Sequence, residues 1–166
     1  MFHIKVVFLF LIKCNRFLFL FIFSLLCIAI GFLSVFFPDF NDNDLVTSNI
    51  SFFEELLMGG IIGPIIETLI FQSLIITIVK KTIKHIKYNY PISILLSAIL
   101  FSLNHNYNNY YITITFIGGL ILATAYYTAT YRDENATIMT FLIHSIFNIT
   151  SIIINYIYYL KWGIRS

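Results

Sequence analysis

The sequence predicts an all-α protein of the membrane, a polytopic helix bundle with about five transmembrane helices. Of its 166 residues, 59% are hydrophobic and only 11% are charged, whereas a soluble domain carries about 25% charged residues. Long apolar runs alternate with short polar segments, and roughly 20 apolar residues suffice to cross a hydrocarbon core of about 30 Å. One integral membrane domain, residues 1–166, is expected at this length.

Composition also limits the partners. The 18 Phe and 11 Tyr suit a lipid-facing surface with aromatic belts at its two borders. The net charge of +2 is small and dispersed, so no nucleic-acid partner is expected. The two cysteines, Cys14 and Cys27, lack the spacing of metal ligands and are interpreted as small apolar fillers. The lipid bilayer is therefore the first expected partner.

The candidate spans follow from the apolar runs in chain order. Residues 1–13 are apolar with interspersed lysines, and they either lie along the interface or extend the first helix; the sequence leaves both open. The next run is uncharged for longer than a signal-peptide core and is predicted to be a retained anchor. The third span is short and could end inside the membrane. The five predicted spans are residues 17–37, 55–79, 91–106, 111–131 and 136–160.

Local chemistry marks several helix ends. Pro38 closes the first span. Ser51 precedes Glu54 at the spacing of a capping box, which predicts a helix start there. Pro91 suits the first turn of the third span. The adjacent glutamates Glu54 and Glu55 are therefore interpreted as a cap at the outer end of the second span rather than as a catalytic pair.

The charges between the spans alternate in sign. Basic residues lie before the first span, at residues 80–87 and at Arg132, whereas residues 38–44 are acidic. By the positive-inside rule the N-terminus and both later basic loops are cytoplasmic, and the acidic loop is outside. Five spans place the two termini on opposite sides. Because no organelle signal is present, a bacterial plasma membrane is expected.

Four polar residues stand out within the apolar sequence: Glu67, His105, His144 and Asn148. A charged side chain at the bilayer centre costs at least about 2.5–3.5 kcal/mol, so such residues usually face the protein interior and carry function. At about 1.5 Å of rise per residue, each lies roughly 12–21 Å from the basic end of its span. His144 and Asn148 are spaced i,i+4 and share a helix face. Three spans are therefore expected to bring the four polar groups into one layer.

These residue types in one layer indicate hydrolysis. A carboxylate and an imidazole that hold the same water can activate it for attack on a carbonyl. A second imidazole and a carboxamide can donate hydrogen bonds to the oxyanion that develops. The same acid and two imidazoles, Glu67, His105 and His144, could instead hold zinc, with Asn148 behind them. Both arrangements remain open from the residues alone.

The stretches around these residues resemble the CAAX protease and bacteriocin-processing family of intramembrane endopeptidases, also called the Abi family. Its first motif corresponds to GPIIETLIFQ at residues 63–72, its Phe-x-x-x-His motif to residues 101–105, and its His-x-x-x-Asn motif to residues 144–148. The three motifs occur in the family's order on separate spans. The resemblance covers about residues 55–160, which it identifies as a protease-like core.

The resemblance implies cleavage of a membrane-associated peptide that is lipidated or carries a leader. By analogy, Glu67 and His105 activate water, while His144 and Asn148 stabilise the oxyanion. No cofactor is required in this interpretation, although zinc is possible. The supporting residues implied around the site are Thr68, Phe71, Gln72 and Phe101.

The chain departs from the family pattern at two positions. Thr68 stands where the family has a second glutamate, and Gln72 stands where it has an arginine. Loss of one partner alone would strand a buried charge at about 3–5 kcal/mol. Because both charges are replaced together, the two residues are expected to form a neutral hydrogen-bonding pair that supports Glu67.

Two other function classes compete with the peptidase. A non-catalytic protein on the same scaffold could bind a bacteriocin or another membrane partner and confer self-immunity. A small transporter-like or accessory membrane subunit is the third possibility, but no discontinuous helix of the transporter type is evident. Loss of peptide cleavage on substitution of Glu67 would separate the peptidase from both.

Overall fold

The computed structural model describes residues 2–34 and 51–162. Within these ranges the chain folds into helices, which confirms the predicted all-α class. Pro38 and the acidic loop 38–44, with their predicted positions, lie outside the described residues. The helices are α1 (Phe2–Lys13), α2 (Arg16–Ser34), α3 (Phe52–Thr82), α4 (Ile86–Leu103), α5 (Asn109–Ala129) and α6 (Ala136–Trp162).

The predicted spans correspond to α2 through α6. By length and composition α3, α5 and α6 are each able to cross a membrane, and residues Arg16–Phe32 of α2 form a shorter apolar helix. Many large apolar side chains on these helices are exposed, as a lipid-facing surface requires. The protein is an integral membrane helix bundle.

Helix α3 begins as its sequence predicts. The Ser51 hydroxyl accepts a hydrogen bond from the Glu54 backbone N–H at 3.3 Å, and the Ser51 N–H donates to the Glu54 carboxylate at 2.8 Å. This reciprocal pair is a capping box and satisfies two donors that a helix start otherwise leaves free. Glu54 therefore caps the helix, as expected.

The winding of α3 changes twice along its length. Met58–Ile62 and Thr68–Leu74 are π-helical, whereas the intervening Gly63–Glu67 is α-helical. A π segment bonds residue i to i+5 and so rotates the following side chains relative to an α-helix. Such segments frequently mark functional sites. No residue pattern in the sequence predicts these π segments.

Helix α4 corrects the third predicted span. It begins at Ile86, five residues before the predicted start, and ends at Leu103. Pro91 consequently lies inside the helix rather than in its first turn. Proline has no N–H, so it leaves one backbone carbonyl of the preceding turn without its helical partner. This is tolerated because that carbonyl is near the start of α4, close to the polar end of the bundle.

Close approaches between helices depend on glycine. A Cβ on Gly119 of α5 would lie 3.0 Å from the Ala98 Cα atom of α4, and one on Gly60 of α3 would lie 2.8 Å from the Ile149 Cγ1 atom of α6. Small residues permit this kind of packing between membrane helices. Helix α2 packs on α5 and α6 through a core that contains Phe19.

The three basic segments meet at one end of the bundle, here called the basic end. The Lys80 ammonium donates to the Thr130 hydroxyl at 2.9 Å and lies 4.8 Å from the ring centres of Tyr127 and Tyr131. Arg132 contacts the end of α1, as described next. The three segments predicted to share one side of the membrane therefore lie together, while the cytoplasmic assignment of that side stays a prediction.

Helix α1 is separate from α2. The chain leaves helical conformation at Cys14 and Asn15, and the Asn15 side chain accepts from the Leu18 N–H at 2.9 Å at the start of α2. Phe8 packs against Tyr90 and Tyr131 at the basic end. The alternative that residues 1–13 extend the first helix is therefore wrong, and the alternative of an interfacial helix remains.

Arg132 fixes the end of α1. Its guanidinium donates to the carbonyls of Leu11, Ile12 and Cys14, the last at 2.8 Å. The same group pairs with Glu134 at 2.9 Å and lies 4.6 Å from the centre of the Phe19 ring. Since the last carbonyls of a helix have no partners within the helix, a buried arginine that collects them holds α1 against the α5–α6 loop.

Candidate active site

Glu67 lies at the junction between the α-helical turn Gly63–Glu67 and the second π segment of α3. Its carboxylate is contacted from two sides. One oxygen, Oε1, is 3.5 Å from Nε2 of His105, and the other, Oε2, is 3.5 Å from Nε2 of His144. The predicted meeting of these three residues in one layer therefore occurs in the structure.

The site is mostly closed. The His144 side chain is 4% exposed and His105 is 15% exposed, whereas Glu67 retains 22% exposure. A carboxylate in an apolar setting is costly unless it is paired. The two imidazoles provide that pairing, and the exposed fraction of Glu67 leaves an approach for water or a substrate carbonyl.

His105 lies in a turn rather than in a span, which corrects the predicted third span. Its backbone N–H bonds the Ser102 carbonyl at 3.0 Å in the turn that ends α4. Its Nδ1 atom is 2.8 Å from the Phe101 carbonyl oxygen. A carbonyl only accepts hydrogen bonds, so Nδ1 carries the proton, and in the neutral ring Nε2 is left as an acceptor that faces Glu67.

This tautomer has a chemical consequence. A bare Nε2 and a carboxylate oxygen would repel each other, so their contact requires one proton between them, on either the imidazole or the carboxyl group. The separation of 3.5 Å exceeds an ordinary hydrogen bond of about 2.7–3.2 Å and is too short for a water to lie between the two atoms, but a water beside them could contact both. A carboxylate and an imidazole that contact one water have the composition of a general base.

Aromatic rings form the wall of the site. The Phe101 ring centre lies 4.5 Å from that of His105 and 5.7 Å from that of His144. Phe71 approaches Phe101 edge-on at 5.8 Å. These apolar neighbours fix the planes of both imidazoles. The two phenylalanines predicted as supporting residues therefore touch the catalytic candidates or each other.

Asn148 occupies a different position from the other three candidates. Its amide nitrogen donates to the Gly59 carbonyl at 2.8 Å. Gly59 belongs to the first π segment of α3, where the altered winding changes which carbonyls are taken up within the helix. Asn148 therefore ties α6 to α3. Since a carboxamide nitrogen has two hydrogens, one N–H remains after this bond.

Thr68 and Gln72 do not form the expected pair. Both side chains are fully buried, yet the Thr68 hydroxyl and both polar atoms of the Gln72 amide lack a hydrogen-bond partner among the described residues. Both residues belong to the second π segment, so the α-helical i,i+4 register on which the expectation depended does not apply. The prediction of a neutral hydrogen-bonding pair is wrong.

Sequence reasoning missed Tyr111. Its ring centre is 6.0 Å from that of His105. Asn108 caps α5 by accepting from the Tyr111 N–H at 2.8 Å, which fixes this residue in the first turn. The capping asparagine was the available signal, but a tyrosine near a span end otherwise indicates an interfacial belt.

A zinc site requires at least three protein side chains that converge on one point. Among the residues that the structure describes, no group of three or more His, Cys, Asp and Glu side chains is arranged to hold a metal ion. The zinc alternative and the expectation that no cofactor is required both stay predictions.

Comparison with known proteins places these residues in a family. No curated protein and no solved structure matches the chain. A family model described as type II CAAX prenyl endopeptidase Rce1-like matches residues 49–150. The matched region is more than half of the chain and includes Glu67, His105, His144 and Asn148. The chain therefore belongs to the Rce1-like family of type II CAAX prenyl endopeptidases.

Proposed function

We propose that this protein is an intramembrane endopeptidase that hydrolyses a peptide bond in a membrane-associated peptide, either lipidated or leader-bearing. The observation that carries the proposal is the Glu67 carboxylate with an imidazole nitrogen 3.5 Å from each of its oxygens. Family membership supports the reaction class. A substrate with a lipid anchor would reach a site between membrane helices by diffusing within the bilayer.

In the proposed reaction Glu67 and His105 hold a water and remove its proton. The water oxygen bonds to the substrate carbonyl carbon, and the proton passes to the Glu67–His105 pair. When the tetrahedral intermediate collapses, the C–N bond breaks and that proton goes to the leaving nitrogen. One water is consumed, the products are a carboxylic acid and an amine, and the base is regenerated.

His144 and Asn148 are proposed to stabilise the oxyanion. His144 is the more buried of the two imidazoles, so a hydrogen bond from it would act in a low-dielectric setting where such bonds are strong. The second N–H of the Asn148 amide is not used in the bond to the Gly59 carbonyl, so it can donate to the oxyanion. Removal of one oxyanion donor typically costs about 10²–10³ in rate.

The direct test is Glu67→Gln in purified protein reconstituted in nanodiscs. Cleavage of a prenylated peptide should fall by at least about 10²-fold, because the general base contributes 10²–10⁴. The matched control is Glu55→Gln, which changes a glutamate of the same helix near its capped start. An unchanged rate in Glu67→Gln would end the catalytic assignment.

Two further arms define the substrate and the metal requirement. The same peptide without its lipid shows whether the anchor is recognised, since only the anchored form should be cleaved if delivery through the bilayer matters.

A chelator should leave cleavage unchanged. Loss of cleavage that added zinc restores would replace the metal-free mechanism with the zinc alternative.

One observation favours a second candidate, a non-catalytic immunity or binding protein. Thr68 and Gln72 are both uncharged, and their buried polar atoms have no hydrogen-bond partner among the described residues, so the charged support expected from the family motif is missing. This candidate predicts that Glu67→Gln retains protection in a bacteriocin killing assay. The peptidase predicts that any protection requiring cleavage is lost.

A further inference from the structure

A second group of polar side chains lies one helical turn from the Glu67 site, toward the basic end. Helix α3 runs toward that end, so in its π segment Gln72, at i+5 from Glu67, lies one turn closer to it. Helices α4 and α6 run away from the basic end. Ser97, four residues before Phe101, and Thr140, four residues before His144, therefore lie at the same level as Gln72.

These side chains are all buried and unpaired. Gln72, Ser97 and Thr140 have no exposed surface, and neither does Thr68, the chain neighbour of Glu67. Neither polar atom of Gln72 and none of the three hydroxyls has a hydrogen-bond partner among the described residues. Thr68 lies between the level of Glu67 and that of the other three, and we call these four residues together the polar layer.

The hydroxyls of the polar layer differ from those of Thr124 and Ser151 in the same bundle. Serine and threonine in a helix commonly donate to the carbonyl four residues earlier. Thr124 does so to Leu120 at 2.7 Å, and Ser151 does so to Phe147 at 3.0 Å. The hydroxyls of Thr68, Ser97 and Thr140 make no such bond, so their hydrogen-bonding capacity remains for another partner.

The energetic cost of leaving this layer dry would be high. Each buried polar group without a partner destabilises the fold, and the layer holds five such atoms. In native proteins buried groups of this kind are bridged by ordered water, which typically makes about three hydrogen bonds. None of the four side chains titrates near neutral pH, so the layer offers no compensation for a charged ligand.

We propose that Thr68, Gln72, Ser97 and Thr140 form a binding site for ordered water directly behind Glu67 and His144. The water in this site bridges the three helices and hydrogen-bonds the buried side of the catalytic layer. Its second role rests on the proposed peptidase function. There the bound water orients and replenishes the water that Glu67 activates, inside an otherwise apolar bundle.

Water in the polar layer can be tested without reference to catalysis. In nanodiscs with labelled threonine, magnetisation should pass from water to Thr68 and Thr140 but not to Thr124, whose hydroxyl is bonded to its own helix. Thermal unfolding gives a sign test with Thr140→Val and Gln72→Met. If the layer holds water, both variants lose bridging bonds and unfold at lower temperature; if it is dry, both remove an unpaired group and unfold at higher temperature.

Cleavage then tests the second role. Thr140→Val should lower kcat at least about tenfold. Thr128→Val is the matched control, since Thr128 is equally buried and its hydroxyl is likewise without a partner, but it lies in the last turn of α5 at the basic end. The control should cleave at the wild-type rate.

The outcomes separate this inference from the proposed function. Water transfer with a lowered unfolding temperature, in a protein that cleaves nothing, would support the water site and overturn the peptidase. Higher unfolding temperatures without water transfer would overturn the water site even in an active protease. Full activity of Thr140→Val in a hydrated layer would overturn the role in supplying water.

Discussion

The contact between α3 and α6 at Gly60 gives the sharpest prediction, because its geometry is tight and it lies two turns from Glu67. A Cβ at this position would be 2.8 Å from the Ile149 Cγ1 atom, about 1 Å inside the optimal carbon–carbon separation of roughly 3.5–4.0 Å. Gly60→Ala must therefore displace the Ile149 side chain or the helix segment that carries it. Overpacking of this kind costs about 1–3 kcal/mol.

Gly118→Ala is the control, because a Cβ there would meet nothing within 4 Å. Both substitutions gain the helix propensity of alanine, about 0.8–1.0 kcal/mol, so the difference between them isolates the steric cost. At about 2–4 °C per kcal/mol for a chain of this size, Gly60→Ala should unfold about 2–12 °C below Gly118→Ala in a thermal assay.

The same displacement should reach the site. It would lengthen the bond from Asn148 to the Gly59 carbonyl and draw His144 away from Glu67, so peptide cleavage should fall in Gly60→Ala and not in Gly118→Ala. Adding Ile149→Ala removes the clashing atom and should restore part of the loss, which a double-mutant cycle measures as coupling. Equal unfolding temperatures for the two alanine variants, or strictly additive effects with Ile149→Ala, would refute this reasoning.

Three other predictions concern the links between helices. Arg132→Gln should destabilise the protein by about 3–5 kcal/mol, seen as faster proteolysis of α1. The Arg132 guanidinium lowers the pKa of the Glu134 carboxyl below its ordinary value. The pair therefore stabilises the fold at pH values above that ordinary value, and this stabilisation is lost as the pH falls through the lowered pKa. In Glu134→Gln the free energy of unfolding should consequently depend less on pH in the acid range. Asn148→Leu strands the Gly59 carbonyl and should cost about 1–3 kcal/mol in thermal unfolding, whereas a purely catalytic amide would leave stability unchanged.

Much of the site could be predicted because its determinants are local. Glu67, His105 and His144 lie in apolar runs whose distances from charged boundaries set their depth in the bilayer, since a helix rises a fixed length per residue. A buried ionisable group in such a run needs a partner. Their meeting in one layer therefore followed from counting residues.

Other features depend on contacts between helices and could not be predicted by counting residues along the chain. Asn148 shares a face with His144, but its bond to Gly59 depends on the winding of another helix. Thr68 and Gln72 were placed by an α-helical register that α3 does not keep at that point. The preference of proline for the first turn predicts a helix start at Pro91, but the residues before it also fold into α4.

The sequence by itself determined that this protein is a membrane helix bundle with an acid and two imidazoles at one depth, because span length, charge asymmetry and depth depend only on the order of residues along the chain. Tertiary structure alone decided the π winding around Glu67, the turn that carries His105 and the attachment of α1 to Arg132. These depend on which backbone carbonyls find partners on neighbouring helices, and that choice is made only when the helices pack.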